Sequence, residues 1–368
     1  MNNKDFKALL GTELPIIQAP MAGVQDSKLA IAVAKVGGLG SIPCGMLSPA
    51  QVVDEIKRFR AATCAPLNLN FFCHELPPFD TQAQARWHEL LAPYFDGLGI
   101  AADLGQGGAS RMPFNHEIAD AIEAFKPEVM SFHFGLPQED LLKRVRSWGS
   151  KVISSATSVA EAEFLAMQGV DGIIVQGIEA GGHRGMFLSD DVNTQVELET
   201  LLTQIASRVD VALIAAGGIG DGHGVKAAME NGACAVQIGS AYLLCDEANT
   251  SSLHKAAIEH AAKTQGHTAL TNIFSGRPAR GLVNRAMTEL GAMNPHAPAF
   301  PYAANLMAQL RKASEAIGMS DFSPLWCGAN ITACRKISAG EMTLTLMESV
   351  PHDHDNKYEY MSRSYADN

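Results

Sequence analysis

The sequence of 368 residues predicts an α/β protein built on a closed (β/α)8 barrel, the TIM-barrel class. Eight short apolar segments recur along the chain without the apolar/polar alternation of strands that have one solvated face. Three of them, within 34–41, 167–175 and 230–238, share one pattern, in which a helix end leads through a glycine into a buried strand. Strands that alternate with helices form a parallel sheet, and eight such units favour a closed barrel over an open doubly wound sheet.

The helix-like stretches between the apolar segments carry recognisable start residues. Ser48 and Pro49, for example, supply an N-cap and a first-turn proline before a predicted helix over 50–59. The apolar segments between these stretches are the candidate strands. The predicted strands are 15–21, 38–44, 66–72, 129–135, 151–157, 172–177, 212–218 and 235–243.

Two spacings are too long for a single strand–helix unit. Between residues 72 and 129 there is room for an excursion rich in Pro, Phe and Trp, and the stretch 246–323 has mostly helical patterning. We expect the helical stretch to cover the barrel mouth as a lid or to form a homodimer contact. His352 and His354 lie among aspartates in a polar tail, and we interpret the pair as fortuitous and not as a metal site. The predicted division is 1–245 with 324–350 as the barrel, 246–323 as a mostly helical insertion and 351–368 as the tail.

Composition and charge narrow the class of function. Hydrophobic residues make up 47% of the chain and charged residues 18%, which is ordinary for a soluble globular enzyme. The net charge of −11 would leave phosphate groups uncompensated, so we expect no nucleic-acid or anionic-membrane partner. Seven cysteines are scattered without a C-x-x-C pair, which is typical of a reducing compartment. Since no signal peptide or long apolar run is present, we expect a cytoplasmic protein.

Polar side chains interrupt several predicted strands, near the carboxyl ends where barrel enzymes bind their ligands. Burying an amide without a partner costs about a few kcal/mol, so these residues either satisfy one another or trapped water, or face a polar ligand. Their convergence on one barrel mouth favours a flat heterocycle such as a flavin, with its alternating carbonyl oxygens and ring nitrogens. The residues are Gln18, Asn68, Asn70, Ser131, His133, Gln176 and Gln237.

The most informative segment is the glycine-rich loop that follows the predicted strand 172–177 and contains His183. Gly181, Gly182 and Gly185 allow the backbone to take positive φ and to approach a ligand closely. A histidine in such a loop titrates near neutral pH, so it can act as a base or a hydrogen-bond donor. We therefore interpret His183 as the catalytic candidate.

Glycine-rich segments after the seventh and eighth predicted strands indicate a phosphate site. Barrels often bind a phosphate there on backbone amides, and the segments here are 215–220 and 237–240. Gly218, Gly220 and Gly222 resemble a dinucleotide fingerprint, but that motif requires the first βα unit of an open sheet and a downstream acidic residue. A single phosphate, and hence a mononucleotide, is the prediction.

Two weaker features stay open at the level of sequence. Arg277 and Arg280, in the loop 271–281, either hold an anionic substrate or fix the loop. Met21 either packs on a flat ring or belongs to the core. The sequence nominates no base for a cysteine nucleophile, so thiol catalysis is not expected.

Taken together, these segments resemble the nitronate monooxygenases, formerly called 2-nitropropane dioxygenases, and particularly their class I branch. The resemblance covers about residues 14–346, and its specificity comes from five segments in the right order. These are PIIQAPMAG at 15–23, SFHFGLP at 131–137, QGIEAGGHRG at 176–185, AAGGI at 215–219 and FSGRPARG at 274–281.

The resemblance implies a barrel that holds FMN non-covalently at the strand ends. It implies oxidative denitrification, in which an alkyl nitronate such as propionate 3-nitronate reacts with O2 to give a carbonyl compound and nitrite, the cofactor performing the redox step. The family's active-site histidine corresponds to His183, and a second, substrate-binding histidine corresponds to His133. The implied flavin contacts are Met21, Ala22, Gly23, Asn70, Gln176, Gly181, Gly218, Gln237, Ile238, Gly239 and Ser240.

Three departures from the family pattern concern the substrate pocket. Phe300 and Ala304 stand where tyrosines are expected, and the family's Trp-Ala-Gly-Gln run appears here as WCGAN, ending at Asn330. The alternative function is an NAD(P)H-dependent flavin reductase of quinone or enoyl substrates, which would share the barrel and the phosphate glycines. A non-catalytic flavin-binding protein is a third possibility, against which His133 and His183 argue.

Overall fold

Eight parallel strands close into a barrel in the computed structural model, which describes residues 5–104 and 111–350. The sheet closes where the Leu39 amide donates to the Ile16 carbonyl at 2.8 Å and the Gln18 amide donates to the Leu39 carbonyl at 3.0 Å. The predicted (β/α)8 class is therefore confirmed. The barrel strands are β1 (Ile16–Gln18), β2 (Gly40–Pro43), β3 (Leu67–Phe72), β4 (Val129–His133), β5 (Lys151–Ala156), β6 (Gly172–Gln176), β8 (Ala212–Ala216) and β9 (Ala235–Ile238).

Helices surround the barrel and follow the predicted caps where these could be tested. Ser48 accepts a hydrogen bond from the Gln51 amide, and the Gln51 side chain accepts one from the Ser48 amide, forming a capping box that starts α3. The helices are α1 (Phe6–Leu10), α2 (Ser27–Lys35), α3 (Pro49–Ala62), α4 (Thr81–Gly97), α5 (His116–Ile122), α6 (Glu139–Ser147), α7 (Val159–Met167), α8 (Leu198–Ala206), α9 (Gly222–Glu230), α10 (Ser252–Thr264), α11 (Arg285–Leu290), α12 (Ala304–Ala316) and α13 (Ala339–Thr345).

The first and last barrel strands are shorter than predicted. β1 ends at Gln18 because Pro20, two residues further on, has no amide hydrogen to donate to a ladder. β9 ends at Ile238, and after Gly239 the chain forms a 3-10 turn, Ser240–Tyr242. Both early strand ends free backbone groups at the barrel mouth, where the site lies.

A small antiparallel sheet lies outside the barrel and was not predicted. It consists of β7 (Gly182–His183), β10 (Thr268–Thr271) and β11 (Ala279–Leu282), with β11 in the centre. β7 comes from the glycine-rich loop, whereas the other two strands come from the stretch 246–323. The stretch thus contains α10, α11 and α12 together with two strands, one of which pairs with the loop that carries His183.

A second hydrophobic core lies beside the barrel. Trp87 and Phe95 on α4 pack with Leu310 on α12 and with Phe322, and all four side chains are at most 2% exposed. Helix α4 belongs to the excursion after residue 72, so the excursion and the stretch 246–323 form one packed unit. The sequence treated these two additions separately, because their contact joins residues more than 200 positions apart.

Gly40 shows how tightly α2 packs on the barrel. A Cβ at this position would lie 2.8 Å from the Cα of Ala30 and would also collide with its carbonyl oxygen. We expect Gly40→Ala to lower the free energy of unfolding by about 1–3 kcal/mol, the usual cost of overpacking. The midpoint of thermal or urea unfolding measures it. Gly97→Ala is the matched control, because nothing lies within 4 Å of its added Cβ; equal midpoints for both variants would contradict the assigned packing.

The predictions about the tail, the cellular location and the homodimer remain predictions. In the part of the chain that the structure describes, no helix combines the length and the apolar character that a membrane crossing requires. The tail 351–368, with His352 and His354, lies outside the described residues. The cytoplasmic location and the homodimer likewise stay expectations.

Candidate active site

A cavity of about 280 Å³ opens at the carboxyl ends of the barrel strands. Ile238, one of the flavin contacts implied from sequence, does not line this cavity. It is 1% exposed and packs in the core, and its carbonyl accepts a hydrogen bond from the Ala19 amide at 2.7 Å. The structure brings most of the residues nominated from sequence to this cavity, whereas Gln18, Asn68 and Ser131 do not line it. Those that line the cavity are Met21, Ala22, Gly23, Asn70, His133, Gln176, Gly181, His183, Gly218, Gln237, Gly239 and Ser240.

The backbone of His183 is fixed from three directions. In β7 it pairs with Ala279 of β11. Its carbonyl oxygen accepts hydrogen bonds from the Gln176 side-chain amide at 3.0 Å and from Nε2 of His133 at 3.1 Å. Elements far apart in the chain thus hold one residue of a glycine-rich loop in a defined position.

The His183 imidazole lies in an apolar pocket. Its ring centre is 5.6 Å from that of Phe300 and 5.5 Å from that of Trp326, and its Nε2 lies 2.8 Å from the Ser275 hydroxyl. Burial, followed by the positive charge of Arg111, holds the pKa of His183 well below its usual range. His183 is therefore neutral at pH 7. Both roles considered from sequence, a base and a hydrogen-bonding group, are open to a neutral imidazole.

His133 and Gln176 are engaged within the protein. Nε2 of His133 faces the His183 carbonyl and must carry the hydrogen, so Nδ1 accepts from the Ser155 hydroxyl at 3.0 Å. Burial lowers the pKa of His133 to about 4, which keeps the ring neutral. The Gln176 side-chain oxygen accepts a hydrogen bond from the Gly185 amide at 2.8 Å. Both side chains hold the histidine loop, and their contacts with substrate and flavin stay predictions.

Two buried charged residues anchor the same loop, and sequence reasoning gave neither of them a role. The Arg184 side chain is 1% exposed and donates to the carbonyls of Gly177 and Gln176 at 2.6 and 2.7 Å. Glu161, also 1% exposed, accepts from the Phe187 amide at 2.7 Å. Arg184 stands inside the glycine-rich motif, but only the folded contacts show that it points away from the cavity.

A cradle of glycines lines another part of the cavity. Gly217 and Gly218 have φ angles of 132° and 69°, which a residue with a Cβ rarely adopts. Among the described residues, the amides of Gly218, Gly239 and Ser240 donate to no other group. Backbone amides that converge in this way bind phosphate oxygens, as the sequence predicted for these segments.

The convergent polar residues divide into two groups. Gln18 exchanges hydrogen bonds with Gln25, and its oxygen accepts from the Ser41 amide at 3.1 Å, so its polar atoms are satisfied within the protein. For Gln18, of the two alternatives that the sequence left open, satisfaction within the protein holds. In contrast, the side-chain oxygen of Gln237 is buried without a partner in the described part of the chain. A hydrogen-bond donor on a bound ligand would satisfy this oxygen.

The structure also gives defined contacts to the two arginines and to the aromatic residues near position 300. Arg280 donates to the Ile178 carbonyl at 2.7 Å, and Arg277 donates to the Met186 carbonyl at 3.1 Å with its guanidinium over the Phe134 ring, so both fix loops. The Phe300 ring packs against the His183 imidazole, and its role in the substrate pocket stays a prediction. The Tyr302 hydroxyl donates to the Pro77 carbonyl at 3.0 Å, which accounts for this tyrosine without a pocket role.

A closed barrel with a glycine cradle and a neutral histidine at the carboxyl ends of its strands is typical of a barrel enzyme that binds its ligands at that end. The family model described as nitronate monooxygenase matches residues 3–349. The chain therefore belongs to the nitronate monooxygenase family, whose members are flavin enzymes in general, and it is an oxidoreductase.

Individual relatives agree with this assignment. A nitronate monooxygenase of Pseudomonas aeruginosa is 35% identical over 348 residues, which cover 94% of this chain and 98% of the relative. A probable nitronate monooxygenase of Bacillus subtilis is 37% identical over 333 residues, covering 89% and 93%. The crystal structure of nitroalkane oxidase from Streptomyces ansochromogenes superposes with a TM-score of 0.83 at 33% identity and covers 98% of this chain and 99% of that one.

Proposed function

We propose that this chain binds FMN non-covalently in the barrel-mouth cavity and uses O2 to oxidise alkyl nitronates, such as propionate 3-nitronate, to carbonyl compounds and nitrite. The observation that carries the proposal is that the cavity combines two chemistries. One side offers unpaired backbone amides and a buried orphan acceptor, and the other offers a neutral histidine within aromatic walls. The first suits a phosphorylated heterocycle, whereas the second suits the alkyl part of a small substrate and a proton transfer beside its nitro group.

The residues present fit FMN on observations of this structure. The free amides of Gly218, Gly239 and Ser240 would hold its phosphate, and a Cβ added at Gly181 would collide with the backbone beside them. The orphaned oxygen of Gln237 would accept a hydrogen bond from an N–H of the ring. Asn70 and Met21 would contact the ring. Bound FMN would supply the electron transfer between nitronate and O2.

The protein's own residues orient the substrate and handle its proton. Nε2 of His183 is bonded to Ser275, and Nδ1 makes no hydrogen bond within the described residues, so Nδ1 is the atom available to a substrate. With a neutral nitroalkane, neutral His183 accepts the proton from the carbon beside the nitro group and generates the nitronate. The rings of Phe72, Phe134 and Phe300 exclude water around it.

A spectroscopic and product assay tests the proposal. The purified protein is expected to be yellow and to release FMN on heating. With propionate 3-nitronate it is expected to consume O2 and release nitrite without reduced nicotinamide. Bleaching by NADPH under anaerobic conditions with no response to the nitronate would move the assignment to the flavin reductase. A colourless protein that takes up no FMN would contradict both functions.

A further inference from the structure

We propose that Ser275 is the positioning residue of the base: its hydroxyl keeps the imidazole hydrogen of His183 on Nε2, so that Nδ1 accepts the proton of the substrate. This inference rests on the proposed function and deepens it. Ser275 belongs to the segment 274–281, and sequence reasoning gave this serine no role of its own. It is 1% exposed and does not line the cavity, so it acts on the substrate through His183.

The turn between β10 and β11 holds Ser275 in a defined position. The Gly276 amide donates to the Asn272 carbonyl at 2.7 Å and closes the turn. A Cβ added at Gly276 would lie 2.5 Å from the Phe300 amide nitrogen, so the turn packs directly on the backbone of a second segment. Because β11 follows this turn and pairs with β7, the serine hydroxyl is brought to the imidazole of His183.

The hydrogen bonds around the Ser275 hydroxyl select one tautomer of His183. The hydroxyl has a single hydrogen and two acceptors within reach, Nε2 of His183 at 2.8 Å and the Arg277 carbonyl at 3.3 Å. If Nε2 carries the imidazole hydrogen, it donates to Oγ while the hydroxyl donates to the carbonyl, and both hydrogen bonds form. If Nδ1 carries the hydrogen, the hydroxyl can donate to only one of these acceptors. The first tautomer is favoured, because it pairs more of the buried polar groups.

Ser275 is also the group that distinguishes the two imidazole nitrogens. Within the described residues, the imidazole of His183 makes no hydrogen bond besides the one to Ser275. Its other close contacts include the aromatic rings of Phe72, Phe300 and Trp326, at centre distances of 6.4, 5.6 and 5.5 Å. The tautomer of the proposed base therefore depends on one hydroxyl.

The same hydroxyl favours the proton transfer itself. The bond between hydrogen and the carbon beside the nitro group breaks, the proton goes to Nδ1 of His183, and the electron pair forms the C=N bond of the nitronate. The imidazolium that results still carries a hydrogen on Nε2, and its hydrogen bond to Ser275 becomes charge-assisted and stronger. Ser275 thus stabilises the protonated base more than the neutral one, which lowers the barrier to proton transfer.

Removal of the hydroxyl should therefore affect one class of substrate. For Ser275→Ala we expect kcat for neutral nitroethane to fall roughly 10- to 100-fold with little change in KM, because a hydrogen bond that strengthens during proton transfer is lost. For ethylnitronate, which has already lost its proton, we expect at most a few-fold change. Ser275→Thr keeps the hydroxyl and should restore most of the nitroethane activity.

The tautomer of His183 can be measured without turnover. Nitrogen NMR of the FMN-loaded protein, labelled with nitrogen-15 in its histidines, distinguishes a protonated ring nitrogen from a bare one, and the His183 signals are those missing in His183→Asn. In the wild type at neutral pH we expect the hydrogen on Nε2. In Ser275→Ala we expect a mixture of both tautomers. A wild-type spectrum with the hydrogen on Nδ1 would overturn the proposal before any Ser275 variant is made.

Ser150→Ala is the matched control. Ser150 is also a buried serine, and its hydroxyl donates to the Pro127 carbonyl at 2.6 Å, but it precedes β5 at the end of the barrel away from the cavity. This variant should change neither the tautomer nor the nitroethane kinetics.

The two readouts separate the positioning role from the function on which it rests. If the tautomer changes in Ser275→Ala but the wild type oxidises neither nitroethane nor ethylnitronate, the positioning role stands and the proposed function fails. If Ser275→Ala keeps the wild-type tautomer and kcat, the Ser275 proposal is overturned while the function stands. Equal losses for the nitroalkane and the nitronate would also overturn it, since they would indicate a general structural role.

Discussion

His183→Asn is expected to lower kcat/KM for a neutral nitroalkane by roughly 10²- to 10⁴-fold, the usual contribution of a general base, while FMN remains bound. Asparagine keeps a polar side chain of similar reach but cannot accept a proton near neutral pH. Turnover of a preformed nitronate should fall less, because that substrate has already lost its proton. The ratio of the two losses, measured by nitrite release under steady-state conditions, reports the base function of His183 separately from its positioning function.

The pH dependence of the wild-type enzyme tests the base function of His183 independently. A base must be neutral, and the pKa of His183 lies well below its usual range because of burial and of Arg111. As the pH falls, the group therefore stays neutral until well below pH 6.5. We expect kcat/KM for a nitroalkane to show no histidine-dependent loss between pH 8 and pH 6.5, and the acid limb to lie lower.

The control for His183→Asn is His260→Asn, which changes an exposed histidine on α10. Both variants should bind FMN and unfold at the wild-type midpoint within a few degrees. Nitroalkane turnover that is equal in His183→Asn and in wild type would refute the base assignment. Loss of FMN from His183→Asn would instead assign a structural role to the residue in the cofactor site.

The barrel and much of the candidate site could be predicted because their determinants are local. Each strand–helix unit carries its own apolar run, cap and glycine, and Ser48 with Gln51 forms the cap that the sequence indicates. Residues at or just after the carboxyl end of a strand, such as Gln176, Gly218 and Gln237, reach the barrel mouth because all parallel strands end there. For such residues the position in the chain already fixes the position in space.

The remaining site residues depend on contacts between distant segments. Ser275 meets His183 only because β11 pairs with β7, and a pairing of two residues leaves no pattern in the sequence. The sequence could not decide the role of Gln18, because its partner, Gln25, lies on the far side of a loop whose shape the sequence does not specify. Arg111 reaches the cavity only through the fold of the excursion that contains α4. Hydrogen bonds and charges of this kind follow from tertiary packing and not from periodicity.

Gly181→Ala is expected to weaken FMN binding roughly 10- to 100-fold, the equivalent of an overpacked contact. A Cβ at position 181 would lie 2.6 Å from the amide nitrogen of Gly328 and 2.7 Å from the carbonyl carbon of Cys327. Because these are backbone atoms, no rotamer change relieves the collision and one of the two loops must move.

The displaced loop is coupled to the proposed phosphate cradle, and this coupling gives the prediction its sharpest test. The Gly328 amide donates to the Ser240 hydroxyl at 2.7 Å, so a shift of Gly328 also moves Ser240. The dissociation constant of FMN, measured by quenching of flavin fluorescence on titration of the apoprotein, should rise in Gly181→Ala and not in Gly97→Ala, whose added methyl meets nothing within 4 Å. Equal FMN affinity in the two variants would mean that the phosphate does not bind beside Ser240. The phosphate site would then have to be sought elsewhere among the residues that line the cavity, such as Gly23 after β1.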